Sequence, residues 1–168
     1  MKKFLTILLT LLSIISYSQT KLDMEIFNII NQYRTSKGID KVSWSQEAFS
    51  VSKKHNDYMV AAPSYSHNQP IDLPNYKELQ TPGQRFTDDD IWWYGVGENI
   101  SAMPYSDSSL VFISKNILSS WVASPGHKRL LLAESMEFGD VSISLVATKR
   151  DPDSDIIGTA FCTFSAFR

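Results

Sequence analysis

Cysteine is nearly absent: Cys162 is the only one in 168 residues. It has no internal partner, so the disulfide frameworks of small secreted domains are excluded. Cys162 lies in the apolar stretch AFCTFSAF and is expected as a small buried hydrophobe, not a nucleophile. Long apolar runs are missing too. The longest, FLTILLTLLSII, has twelve residues and is too short to span a bilayer well. Neither charge sign dominates, with 16 Lys and Arg against 18 Asp and Glu. A surface of this kind does not favour nucleic acid or anionic membrane. The longest same-sign run, Asp88–Asp90, lacks the spacing of a calcium loop and reads as a solvated turn. There is no internal repeat, no sustained heptad, no HExxH, no phosphate-binding glycine loop and no nucleophile elbow.

What is present begins with an address. Lys2 and Lys3 precede the twelve-residue apolar run, and Ser16 and Ser18 then supply small residues at a cleavage site. Residues 1–18 are therefore expected to be a signal peptide cut after Ser18, with an uncleaved anchor as the alternative. No cysteine stands at the cut, which argues against a lipoprotein. Loss of Lys2 and Lys3 takes the formal charge from −2 to −4. The expected organisation is 1–18 signal peptide, 19–24 linker and 25–168 a single domain. A domain of about 150 residues can be stable without disulfides. The destination is extracellular or periplasmic, and disulfide-free export fits a bacterium. The sequon Asn99–Ser101 is then incidental.

Apolar residues at 22, 26, 29, 30 and 33 have helical spacing, with Gly38 as a stop. Ser45 caps a second helix whose inner stripe is Ala48, Val51, His55, Tyr58 and Met59. His55 is expected there as a hydrogen-bonded core residue. Residues 63–80 read as loop, broken by Pro63, Pro70 and Pro74. Thr81, Pro82 and Gln84 carry the signs of a short capped helix. Trp92 and Trp93 are expected to cover a core or line a groove, without full burial of both. A third helix carries Leu110, Ile113, Ile117, Leu118, Trp121 and Val122. Ser124 and Pro125 start a fourth, with His127 near its N3 position. DVSISLVA alternates as a strand, RDPDSD is a turn cluster, and IIGTAFCTFSAF is a strand covered on both faces. Helices followed by a hairpin indicate an α+β fold.

Three polar groups stand out: His67 in YSHNQ, Glu98 in VGENI and His127 in SPGHK. All are expected at element ends or in loops, where binding groups are commonly presented. Two imidazoles and a carboxylate suit a divalent metal such as zinc, or a proton-transfer pair. The helix N-terminus opposes protonation of His127, and a neutral imidazole is what a metal requires. The intervals of 31 and 29 residues match no short metal motif.

Taken in order, IFNIINQYRTSKGIDKVSWSQEA, HNDYM with YSH, TPGQR, VGENI, SWVASPGHKRLLL and EFGDVSISL resemble the CAP superfamily (cysteine-rich secretory proteins, antigen 5 and pathogenesis-related 1). The likeness is to its bacterial, disulfide-free branch, and runs from about Ile26 to the C-terminus. It implies a three-layer α-β-α sandwich with a small antiparallel sheet and an open cleft. It places the two cleft histidines at His67 and His127 and the cleft glutamate at Glu98. In some relatives the histidines hold zinc, so the resemblance makes His67 and His127 metal ligands, with Glu98 a third candidate. The second glutamate of many relatives is missing from the stretch around Trp121. Leu130 stands where many bacterial relatives have asparagine, and the loop 68–80 is longer than usual. Arg85 matches a family position for which a structural hydrogen-bonding role is expected.

Three functions follow as expectations. The first is a secreted, monomeric binding module for a metal, small-molecule, lipid or protein ligand. The second is an extracellular hydrolase using His67, Glu98 and His127, with Ser66, Ser101 or Ser124 as the only nearby hydroxyls. The third is a structural polar network with no ligand.

Overall fold

The computed structural model describes residues 19–62, 65–70, 73–74, 81–147 and 154–168. The signal segment 1–18, most of the loop 68–80 and most of the RDPDSD cluster lie outside the described residues. The order of elements is α1 (Lys21–Ser36), β1 (Ser43–Trp44), α2 (Gln46–Ala61), α3 (Pro82–Asp88), β2 (Val96–Tyr105), α4 (Leu110–Ala123), α5 (Pro125–Leu131), β3 (Phe138–Ala147) and β4 (Gly158–Phe167). Among the described residues no helix is long and apolar enough to cross a membrane.

The expected linker 19–24 is corrected by the first helix. Thr20 caps it, and Asp23 returns a hydrogen bond to the Thr20 backbone, completing a capping box. Asp23 is buried and its Oδ1 accepts from Ile143 N on β3 at 2.8 Å. Among the described residues only 19 and 20 precede the helix, because a buried acid that satisfies both a helix start and a strand amide ties this stretch into the fold.

The sheet runs β1-β3-β4-β2. β3 and β2 pair antiparallel to the central β4, and β1 adds a two-residue parallel edge against β3. Strand alternation sends Val141, Ile143, Cys162 and Phe164 into one core with Ile26 and Ile30 of α1, Ile113, Ile117 and Trp121 of α4, and Leu131 of α5. Each of these larger side chains contributes about 1.5–3 kcal/mol by leaving water. The opposite face is covered by α2, giving the α-β-α sandwich. β4 is buried on both sides, as its sequence predicted, and Cys162 is a buried free thiol.

The α2 face is unusually polar. Asp140, Ser142, Thr163 and Ser165 are buried against Ser52, His55 and Asn56. Asn56 donates to the Phe161 carbonyl at 2.8 Å, and the Ser52 and Ser165 hydroxyls hydrogen-bond at 2.8 Å. Asp140 and Glu98 both register with Ser165, from β3 and β2 respectively, so one row carries two acids flanking a serine.

Two further side chains set the position of α5. Arg34, fully buried on α1, donates to the Leu131 carbonyl at 2.8 Å and the Ala133 carbonyl at 3.1 Å, where the helix end leaves acceptors unpaired. At Gly97 on β2, a Cβ would run into the Leu130 side chain of α5. Leu130 therefore packs directly onto a glycine of the edge strand.

Candidate functional site

The site is built on the edge strand. Glu98 is the third residue of β2, near the start of a strand that the sequence did not signal. Its neighbour Asn99 points to the other face of the sheet. These consecutive residues bring in the two histidines from opposite sides. The Glu98 carboxylate meets the His67 ring, with Nδ1 to Oε1 at 2.9 Å. Asn99 Nδ2 donates to the His127 carbonyl at 3.0 Å. His67 lies in the bend after α2, and His127 is the N3 residue of α5, where it was expected.

Glu98 has no free oxygen in this arrangement. Oε1 accepts from His67, and Oε2 pairs with Arg85 Nη2. Both Arg85 and Glu98 side chains are only 3% exposed, so this is a buried ion pair. Arg85 also donates from Nη1 to the His67 carbonyl at 2.7 Å. One guanidinium thus fixes both the carboxylate and the loop that carries His67. Burial alone would raise the Glu98 carboxyl, but the His67 hydrogen bond and the Arg85 charge outweigh it and hold it below its ordinary value. In the neutral tautomer that donates Nδ1–H to an ionised Glu98, the outer Nε2 of His67 is the lone-pair nitrogen.

His55 joins from α2, fully buried. Its Nδ1 accepts from Gln69 Nε2 at 3.0 Å, and its Nε2 faces Glu98 Oε1 at 3.7 Å, beyond a hydrogen bond. Burial lowers its pKa to about 4, so it is neutral at ordinary pH. The expectation of a hydrogen-bonded core histidine holds, but His55 is also a wall of the site. His127 is shifted the same way. The first cause is burial and the second the charge of His67, rather than the helix N-terminus invoked from sequence. Its Nδ1 is buried with no hydrogen-bond partner among the described residues.

The three serines offer little to a nucleophilic mechanism. Ser66 accepts from Asn68 N in a local turn at 3.1 Å. Ser101 is buried in β2. Ser124 occupies the N-cap position of α5, but its side chain makes no capping bond, contrary to the cap expected of it. None of the three hydroxyls bonds an imidazole among the described residues. Nor do three His, Cys, Asp or Glu side chains converge there as a metal-ligand set. Asn99 is buried, which removes it as a surface glycosylation acceptor.

His55, Arg34 and Asn99 were not read as parts of the site from sequence. Nothing in a lone buried histidine, arginine or asparagine signals which distant atoms it meets. Arg85 was named, and its hydrogen-bonding role is confirmed.

Comparison with known proteins agrees with this architecture. The family model for the CAP, or cysteine-rich secretory protein, family matches residues 27–147. No curated protein matches the chain. An extracellular protein containing an SCP domain from Bacillus anthracis is similar in fold (TM-score 0.63, 22% identity), covering 91% of this chain and 45% of that one. The chain thus spans less than half of that protein. An outer surface protein from Borrelia burgdorferi is similar to the same degree (TM-score 0.63, 17% identity; 90% and 97% covered). NaASP2, whose crystal structure was solved with Zn2+, is more distant (TM-score 0.54, 10% identity; 86% and 80% covered). By the extent of the family match, joined to the shared sandwich, this chain belongs to the CAP (cysteine-rich secretory protein) family.

Proposed function

We propose that this chain is an exported binding module whose His67–His127 edge takes a divalent cation, and through it a ligand. The observation that carries this reading is the Glu98–His67 hydrogen bond, backed by the buried Arg85. A carboxylate on Nδ1 orients an imidazole and makes its outer nitrogen a better ligand, which is how metal-binding histidines are commonly supported. His127 supplies a second, neutral imidazole. Glu98 is committed to His67 and Arg85 and supports the site without ligating. Two nitrogens leave further coordination positions for water or an acidic group of a ligand. When bound, the cation would supply Lewis acidity and a docking charge. This chain's own residues hold the histidines in place, and burial shifts His127 toward its neutral form. The Zn2+ of NaASP2 and the extracellular settings of the Bacillus and Borrelia proteins support the same direction.

The test is calorimetry with zinc on the purified protein beside His67→Ala and His127→Ala. One site, lost in both variants and retained in Ser101→Ala, is the expected result. Export is tested separately: the secreted protein should begin at Gln19, read by intact mass.

A further inference from the structure

Trp92 and Tyr94 are 77% and 76% exposed, side by side, and neither belongs to the His67 site. Their rings meet edge to face at 5.7 Å. Trp93 between them is held down: its ring packs on Gly83, where a Cβ would clash, and its Nε1 donates to Thr87 Oγ1 at 3.3 Å. Two concavities adjoin here. One, of about 400 Å3, is lined by Trp92, Trp93 and Asp90. The other, of about 360 Å3, is floored by Trp44, Phe138 and Phe167. Asp90 and Ile91 line both and form the ridge between them.

The charge of this face has one sign. Asp89 and Glu47 line the second concavity, and Asp90 lines both. Asp89 is paired with Lys54 through both oxygens, at 2.8 and 2.7 Å. Among the described residues Glu47 accepts from Ser45 Oγ at 3.1 Å and forms no ion pair. Asp90 is exposed, sits at φ 58° in the left-handed region, and is presented by a turn locked through Asp90 N to the Thr87 carbonyl and Ile91 N to the Phe86 carbonyl. Fixed indoles beside a carboxylate recognise a cation. A cation over an indole is worth about 0.5–2 kcal/mol, and a carboxylate beside it adds a charge-assisted hydrogen bond. A guanidinium fits both demands at once, because its plane stacks on the ring while its edge meets the carboxylate. The apolar concavity next door then calls for an aliphatic side chain on the same molecule.

We infer that this face docks an extended segment of a partner protein, with an arginine on Trp92, Trp93 and Asp90 and an aliphatic side chain in the concavity of Trp44, Phe138 and Phe167. Residues two apart in an extended segment point to the same side and lie about 7 Å apart, which suits two adjoining hollows. This inference does not depend on the cation at His67 and His127.

The test follows the indole Nε1–H signals of the whole protein by NMR during titration with Ac-Gly-Arg-Gly-Leu-Gly-NH2. Controls are the same peptide with Glu for Arg, and tetramethylammonium alone. The Arg peptide should shift the Trp92 and Trp93 signals saturably at millimolar concentration or below. Asp90→Asn, which tolerates the same φ, and Trp92→Ala should each weaken it about tenfold without lowering the melting temperature. Equal shifts from the Glu peptide, no shift from the Arg peptide, or indifference to Asp90→Asn would overturn the inference. Tetramethylammonium binding as tightly as the Arg peptide would overturn the protein partner in favour of a small cation.

Discussion

Arg85 holds two things at once, the Glu98 carboxylate and the His67 carbonyl. Removing it strands a buried charge, so Arg85→Met should cost about 3–5 kcal/mol in denaturant unfolding. Glu98→Gln in the Arg85→Met background should then cost little more, because the stranded charge has gone. Asp140 makes the opposite case. Burial pushes its carboxyl well above the usual carboxylate range, and neither oxygen has a hydrogen-bond partner among the described residues. The Ser52 hydroxyl lies close enough to relieve it in part, but forms its hydrogen bond with Ser165. The unfolded chain ionises this group near its ordinary value and the folded chain does not. Stability should therefore fall as pH rises from about 4 toward the raised folded value. Asp140→Asn should flatten that limb of a pH–stability curve. His55 acts on the acid side. Its lowered pKa gives stability that is full above 6.5 and lost as pH falls toward about 4. The loss is roughly 3 kcal/mol, and His55→Gln should remove that slope. At this scale the residues themselves named His67, Glu98 and His127, and the motif resemblance added Arg85. The sequence was silent on Asp140, whose alternating neighbours looked like an ordinary half-exposed strand.

Helices were legible because packing on one side imposes a repeat that survives in the sequence. The α2 stripe lies where its apolar spacing put it; α1 buries Leu22, Ile26 and Ile30 but leaves Ile29 and Tyr33 half-buried, and α4 buries Ile113, Ile117 and Trp121 but leaves Leu110 exposed. β3 and β4 were legible for the same reason. β1 was not, since two residues carry no period and exist as a strand only through β3. β2 was also missed. Its start is occupied by Gly97 and Glu98, residues chosen by α5 and by the site rather than by strand propensity. Pro104 within it is tolerated because β2 is an edge. The joint between β2 and α5 can be tested directly. Gly97→Ala should destabilise by about 1–3 kcal/mol through overpacking on Leu130. Leu130→Ala added to it should restore part of that loss in a double-mutant cycle, since the smaller side chain admits the new Cβ. The short α5 carries His127, so zinc affinity should fall in Gly97→Ala and recover with the second change.

Across the whole molecule, the two proposed binding surfaces lie apart on one sandwich. The edge of β2 presents His67, set by a buried ion pair, and the turn after α3 presents the exposed Trp92 and Tyr94 near Asp90, which has no ion-pair partner among the described residues. Family membership accounts for the sandwich. The central question at this scale is whether the histidine edge binds or merely braces the fold. A brace and a binding site predict opposite responses to the same truncation. Thermal melts of the protein and of His127→Ala, each with and without zinc, read that difference directly. The account predicts similar metal-free melts. Zinc at about one hundred times its dissociation constant should stabilise the unmutated protein by about 2.7 kcal/mol and leave His127→Ala unmoved. A metal-free melt clearly lowered by His127→Ala, with zinc moving neither protein, would contradict it and leave the histidines as structural members of the fold.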